Sequence, residues 1–247
     1  TVQGSLLTLK VEGLLGGHSG QDIDKERQNA DLLMARMIQR LLKETKGQLV
    51  SFNGGTKDNA IPRECEASLI YESDEEAAKA EELACELAET YAEELTPAEP
   101  DFSCEISCET NRTAEAIPQD AAKEFICAMR LAPNGIQKRN IKMDGFVVVS
   151  LNLGVVRTEE DRIVMIFSPR SSVASLQEDT KERLNTLAET FGFTVSHSSE
   201  YPGWSFKEDS PVREICKESY KELFGEDLKI EAIHAGLECG LFSDAIK

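Results

Sequence analysis

Apolar and polar residues alternate along SLLTLKVEGL (5–14), the period-2 pattern of a half-buried strand. A glycine-rich turn follows. Beyond it, Ile23, Ala30, Leu33, Met34, Met37, Ile38 and Leu41 fall on one stripe at helical spacing, with Ser19 or Asp22 as the cap that starts the helix. QLVSFNGG and ECEASLIYE read as two strands around a loop, GGTKDNAIPR. A Glu- and Ala-rich helix is predicted over 74–95, and a strand near FSCEIS completes the order β-α-β-β-α-β, the ferredoxin-like arrangement.

The second part partly repeats this. The pattern predicts a helix over 118–131, a loop at LAPNGIQKRN, and two apolar strands joined by a polar turn within GFVVVSLNLGVVRTEEDRIVMIFSPR. A helix over 171–191 and a strand at FTVSHSS close the unit. The expected fold is α+β, an antiparallel sheet with helices on one face. EYPGWSF is a turn-rich junction, and SPVREICKESYKELFG is a helix with Ser210 as cap, Pro211 in its first turn and Gly225 at its end. A short strand, DLKIEAI, runs on into HAGLECGLFSDAIK. One helix and one strand cannot bury their apolar faces alone, so the pattern predicts one domain over 1–200 and a truncated α/β segment over 201–247.

Composition narrows the possible partners. The chain has 247 residues, 40% hydrophobic and 29% charged, enough for a sizeable core. A net charge of -18 argues against a nucleic-acid backbone and against an anionic membrane surface, both of which call for clustered Lys and Arg. The acidity between Glu72 and Glu94 reads as the solvated face of a helix. No apolar run approaches the roughly 20 residues of a membrane helix, and the first residues lack a secretion signal. Seven cysteines, an odd number, suggest reduced thiols and a cytoplasmic location. Cys104 and Cys108 share one face of their predicted strand, which suits apolar packing better than a zinc pair.

Self-sufficient catalytic machinery is not apparent. The chain has neither H-x-x-x-H nor H-x-D, no nucleophile elbow, and no phosphate-cradling glycine loop. What remains is polar residues on loops. His18 lies between Gly16-Gly17 and Ser19-Gly20, where the backbone can approach a ligand closely and an imidazole can donate to a developing oxyanion; a surface turn would also explain it. Asn59 is either a ligand-binding amide or the cap of its own turn. Arg170, where a strand meets a helix, could grip a carboxylate or form a surface ion pair.

Four stretches together, GLLGGHSGQDIDKERQNA, NGGTKDNAIPRECEA, SPRSSVAS and IHAGLECGLF, resemble the aminoacyl-histidine dipeptidases (Xaa-His dipeptidases, peptidase D), relatives of the carnosinases. The resemblance runs in order along essentially the whole chain. It implies a catalytic domain with two zinc ions, interrupted by a lid that dimerises. Ligands in that family are a His-x-Asp pair, a bridging Asp, adjacent Glu residues of which one is the general base, a further acidic residue and a final His. None is matched here, so the chain is expected to be the lid plus a piece of the catalytic domain, inactive alone, with zinc held elsewhere.

The resemblance further implies that His18 is catalytic, stabilising the oxyanion in a partner subunit's pocket. It implies that Asn59 and Arg170 bind a dipeptide, Arg170 through the terminal carboxylate, and that Gly236 and Gly240 form a backbone-lined edge of the substrate pocket. Glu238 is read as a loop residue and not as a metal ligand. A free-standing dimerisation or ligand-binding module, and an enzyme using Cys239 or Cys65 as nucleophile with His234, are the competing readings.

Overall fold

The alternation in the first strand is realised over Val2–Glu12 (β1), where Leu7, Leu9 and Val11 are fully buried between partly exposed polar neighbours. The computed structural model describes residues 1–141, 145–198, 209–230, His234 and Phe242. A two-residue strand, Gly17–His18 (β2), follows, then helix Ala30–Glu44 (α1) and strands Gln48–Gly54 (β3), Ala60–Ile61 (β4) and Cys65–Tyr71 (β5). Helix Asp74–Leu95 (α2) and strand Ser103–Ala114 (β6) complete the first unit. The second unit comprises helix Gln119–Leu131 (α3), strands Gly135–Asn140 (β7), Phe146–Thr158 (β8) and Ile163–Ser171 (β9), and helix Ala174–Phe191 (α4).

The strands pair antiparallel throughout in the order β6-β1-β5-β3-β8-β7, with β9 also on β8. The first four reproduce the ferredoxin-like order that the sequence predicts. Helices α1, α2 and α3 bury their apolar stripes in one core with Leu7, Leu9, Leu49, Phe52, Leu69, Leu153 and Val156 of the sheet. Cys104 and Cys108 are partly buried against that core, as apolar packing requires.

Several boundaries differ from expectation. Helix α1 starts at Ala30, capped by Asn29, whose side-chain oxygen accepts from the amides of Asp31 and Leu32. Ser19 and Asp22 cap nothing there: Asp22 is drawn to the amide of His18, and the stretch between holds only the 3-10 turn Ile23–Lys25. LAPNGIQKRN is a strand for most of its length. Its turn ends at Gly135, after which β7 takes up the free edge of β8. FTVSHSS forms no strand over 193–198, whose side chains are mostly exposed, since β8 already pairs on both edges. The expected strand at DLKIEAI is absent over 227–230, and 231–233 lie outside the described residues. The helix before it, Pro211–Phe224 (α5), has the predicted Ser210 cap and Gly225 end but buries none of its residues. The expected domain boundary at 200/201 also lies outside the described residues.

One core residue works against the rest. Asp31 in α1 is completely buried, and among the described residues neither carboxyl oxygen has a hydrogen-bond partner of ordinary geometry, the Cys65 thiol lying close by. Burial pushes its carboxyl from 3.8 up to about 7, the thiol opposing weakly. The folded chain therefore holds a proton that the unfolded chain releases, so stability falls as pH rises from 3.8 through about 7. Asp31→Asn is expected to raise the melting temperature above pH 7 and flatten its decline over that window. Thermal unfolding across the range checks this; an unchanged pH slope would place the titration elsewhere.

Candidate functional site

The loop between β1 and α1 turns on Gly16 and Gly17, whose φ angles of 58° and 140° are ones that a side chain rarely tolerates. A Cβ on Gly17 would also come within 2.7 Å of Arg27 and Asp22. The freed backbone lets β2 pair with β4, His18 opposite Ala60. The His18 amide donates to Asp22 Oδ2 at 2.8 Å. The amides of Gly20 and Gln21 both donate to His18 Nδ1 at 3.1 Å. A nitrogen that accepts two N–H bonds carries no proton, so the neutral ring keeps its hydrogen on Nε2. Burial, helped by the Arg170 charge and opposed by Asp22, lowers the ring's pKa. His18 is thus a neutral donor whose orientation is fixed by backbone.

Arg170 stands near the end of β9, cross-strand from Ser150 of β8. Its Nε donates to Ser19 Oγ at 3.3 Å, and the Ser19 amide donates to the Asn59 carbonyl at 2.9 Å. Half-buried, the guanidinium has its pKa lowered by desolvation, with Asp58 opposing; it stays a cation regardless. Asn59 is exposed, and its backbone N–H donates to Asp58 Oδ1 at 2.9 Å, so the side chain that serves this turn is that of Asp58. Ser19 therefore links all three predicted residues, neighbouring His18 in sequence and bonding to the other two. Gly236 and Gly240 lie outside the described residues, as do Glu238 and Cys239.

Sequence reasoning passed over the floor of the site. Ser150 and Asn152 occupy alternate positions in VVVSLNLGVV, on the face of β8 opposite the core residues Leu151 and Leu153. Ser150 Oγ lies 2.8 Å from His234 Nε2. Burial, then the Arg170 charge, pushes His234 down to about 4 against a backbone bond with Val147, so its ring is neutral and shares a hydrogen bond with Ser150. Asn152 is 1% exposed, and its Nδ2 donates to the carbonyls of Asp58 at 3.0 Å and Ala60 at 2.8 Å, on either side of Asn59. Its Oδ1 is buried without a partner among the described residues. That orphan costs about 1–3 kcal/mol, so the amide is oriented by its grip on the loop. Gly154 permits the contact, because a Cβ there would meet the Asp58 carbonyl oxygen at 2.5 Å. The available signal was a pair of polar residues inside an apolar strand.

The thiol reading fails for Cys65. It is buried in the core, and desolvation with the Asp31 charge raises its pKa well above the usual thiol value, the reverse of an activated nucleophile. Among the described residues, no group of three or more His, Cys, Asp or Glu side chains is arranged to hold a metal ion.

Residues 9–100 match the peptidase dimerisation domain. The chain is 34% identical over 238 residues to the cytosol non-specific dipeptidase of Escherichia coli (strain K12), covering 95% of this chain and 48% of that protein. The chain thus spans about half the length of this curated relative. The crystal structure of an aminoacylhistidine dipeptidase from Vibrio alginolyticus superposes with a TM-score of 0.86 at 31% identity, covering 98% of this chain and 53% of that one.

The ring geometry sets a measurable outcome. In a nitrogen-15 titration, His18 is expected to show the Nε2–H tautomer and a midpoint below the ordinary histidine value of 6.5. The folded ring resists a proton that the unfolded ring accepts, so this group lowers stability as pH falls below that value. A midpoint at or above it would contradict the two backbone bonds to Nδ1.

Proposed function

We propose that the chain belongs to the aminoacyl-histidine dipeptidase family, and that residues 1–200 form the lid of a cytosolic dipeptidase acting on Xaa-His-type dipeptides. Residues 201–247 are then a piece of its catalytic domain, and the lid joins two subunits in a homodimer. In this reading the two zinc ions that the resemblance implies are held by ligands elsewhere in the whole protein. This chain's part is to grip the dipeptide and stabilise charge.

The observation carrying this reading is the link through Ser19, which holds a neutral N–H donor and a guanidinium at one place. The Arg170 guanidinium suits a terminal carboxylate, which it can bind through parallel N–H bonds. His18 Nε2–H is then aimed at the carbonyl oxygen that gains negative charge during attack. A neutral donor fixed beforehand meets that charge with little reorganisation. Asn59, exposed on a loop held from beneath by Asn152, offers amide hydrogen-bonding groups to the dipeptide backbone. Gly236 and Gly240 complete the pocket edge in this proposal.

A binding module without catalysis could use the same carboxylate clamp but has no need of a donor for developing charge. His18→Ala in the whole protein separates the two. Turnover is expected to drop about 10²–10³-fold with a smaller change in substrate affinity; near-normal turnover removes the role. Arg170→Ala is expected to raise KM about tenfold or more for dipeptides with a free carboxylate, the scale of a lost charged hydrogen bond, and much less for amidated ones. Equal losses for both substrates would rule out the clamp.

A further inference from the structure

The loop that carries His18 runs from the end of β1 at Glu12 to the Asn29 cap, with Leu15 and Gln28 at its neck. Both ends converge on one side chain. Glu99, in the turn after α2, is 1% exposed. Its Oε2 accepts from the Leu15 amide at 2.7 Å and its Oε1 from the Gln28 amide at 2.9 Å. The turn itself is fastened, since the Glu99 amide donates to the Leu95 carbonyl and the Glu99 carbonyl accepts from Phe102. A close backbone approach locks the same place, because a Cβ on Gly13 would come within 1.9 Å of the Asp101 carbonyl oxygen.

We propose that Glu99 is a positioning residue for His18: its carboxylate closes the neck of the loop and thereby holds the imidazole in register with the site. It touches neither substrate nor reacting atoms. A buried carboxylate is a costly group in a core, and it needs charge-assisted bonds to be tolerated. Here each oxygen takes one amide, and those two amides belong to the two strands of the neck. Inside the neck the loop is tied locally by Asp22 to the His18 amide and by Arg27 to the Gly16 carbonyl, and to the rest of the fold by the β2–β4 pairing, the Ser19 amide on the Asn59 carbonyl and Arg170 Nε on Ser19 Oγ; Glu99 joins its two ends to each other. The Gly20 and Gln21 amides that fix the ring depend on how the whole loop is seated. The inference builds on the charge-stabilising role proposed for His18, yet its test does not depend on turnover.

Glu99→Gln keeps the shape but replaces one acceptor with an NH2 group that faces an amide donor. Hydrogen exchange and His18 titration in the chain bearing this variant are the measurements. Exchange at Leu15 and Gln28 is expected to quicken about tenfold or more, as expected when a charged hydrogen bond is lost. Gly20 and Gln21 should follow, and the His18 midpoint should move up towards the ordinary histidine value, with amides in the middle of α1 and α2 unchanged. If Leu15 and Gln28 quicken while Gly20, Gln21 and the His18 midpoint stay as they were, Glu99 is a structural brace only and the proposal is wrong. Should Glu99→Gln unfold the chain, the unsubstituted protein decides: Leu15 and Gln28 exchanging as fast as exposed amides overturns the clamp, while protection matching the centre of α1 supports it. An active His18→Ala enzyme would end the oxyanion reading and leave this comparison standing.

Discussion

The candidate site depends on a side-chain amide buried in a β-sheet. Asn152 projects from β8 on the face away from the helices, and its two N–H groups hold the carbonyls of Asp58 and Ala60. An irregular loop laid over a sheet must satisfy its backbone groups without a ladder. Asn152 meets that need at the two positions that bracket Asn59, and the missing Cβ of Gly154 allows the loop to come down far enough. From the seated loop the chain of contacts continues: the Asn59 carbonyl takes the Ser19 amide, and Ser19 Oγ takes Arg170 Nε.

That arrangement separates two kinds of buried polar residue. Ser150 and Asn152 bond to the segments lying over β8 and contribute to a site. Asp31, on the helical side, bonds to almost nothing and lowers stability near neutral pH. Burial alone does not mark a functional residue. The partners do: in the first case they are segments distant in sequence, and in the second only a thiol that binds its own proton tightly.

Much of this was legible in the chain and some was not. The period of 2 in SLLTLKVEGL and the 3.6-residue stripe of Leu33, Met34, Met37, Ile38 and Leu41 reflect burial on one face, a constraint written directly into residue order. The ferredoxin-like order followed from them. Strand β7 was not legible, because KRN carries no apolar alternation and the segment is a strand only through the edge of β8. Asn29 displaced Ser19 and Asp22 as helix cap for a reason equally distant in sequence, its amide also donating to the Leu153 carbonyl. His18, Asn59 and Arg170 stood out through their neighbours. Glu99 and Asn152 did not, since an acidic residue in TPAEPD or an amide in an apolar run becomes informative only when its partners are known.

Ser150, Asn152 and Arg170 all belong to the β8–β9 hairpin, where spacing between side chains is set by the pitch of a hydrogen-bonded ladder. The guanidinium is planted on one rung, and the loop bearing Asn59 is moored two residues along β8. The spacing between Arg170 and the Asn59 loop is therefore set by the hairpin. In the function proposed above, the hairpin acts as a ruler between the guanidinium that takes a carboxylate and the loop that meets the peptide backbone.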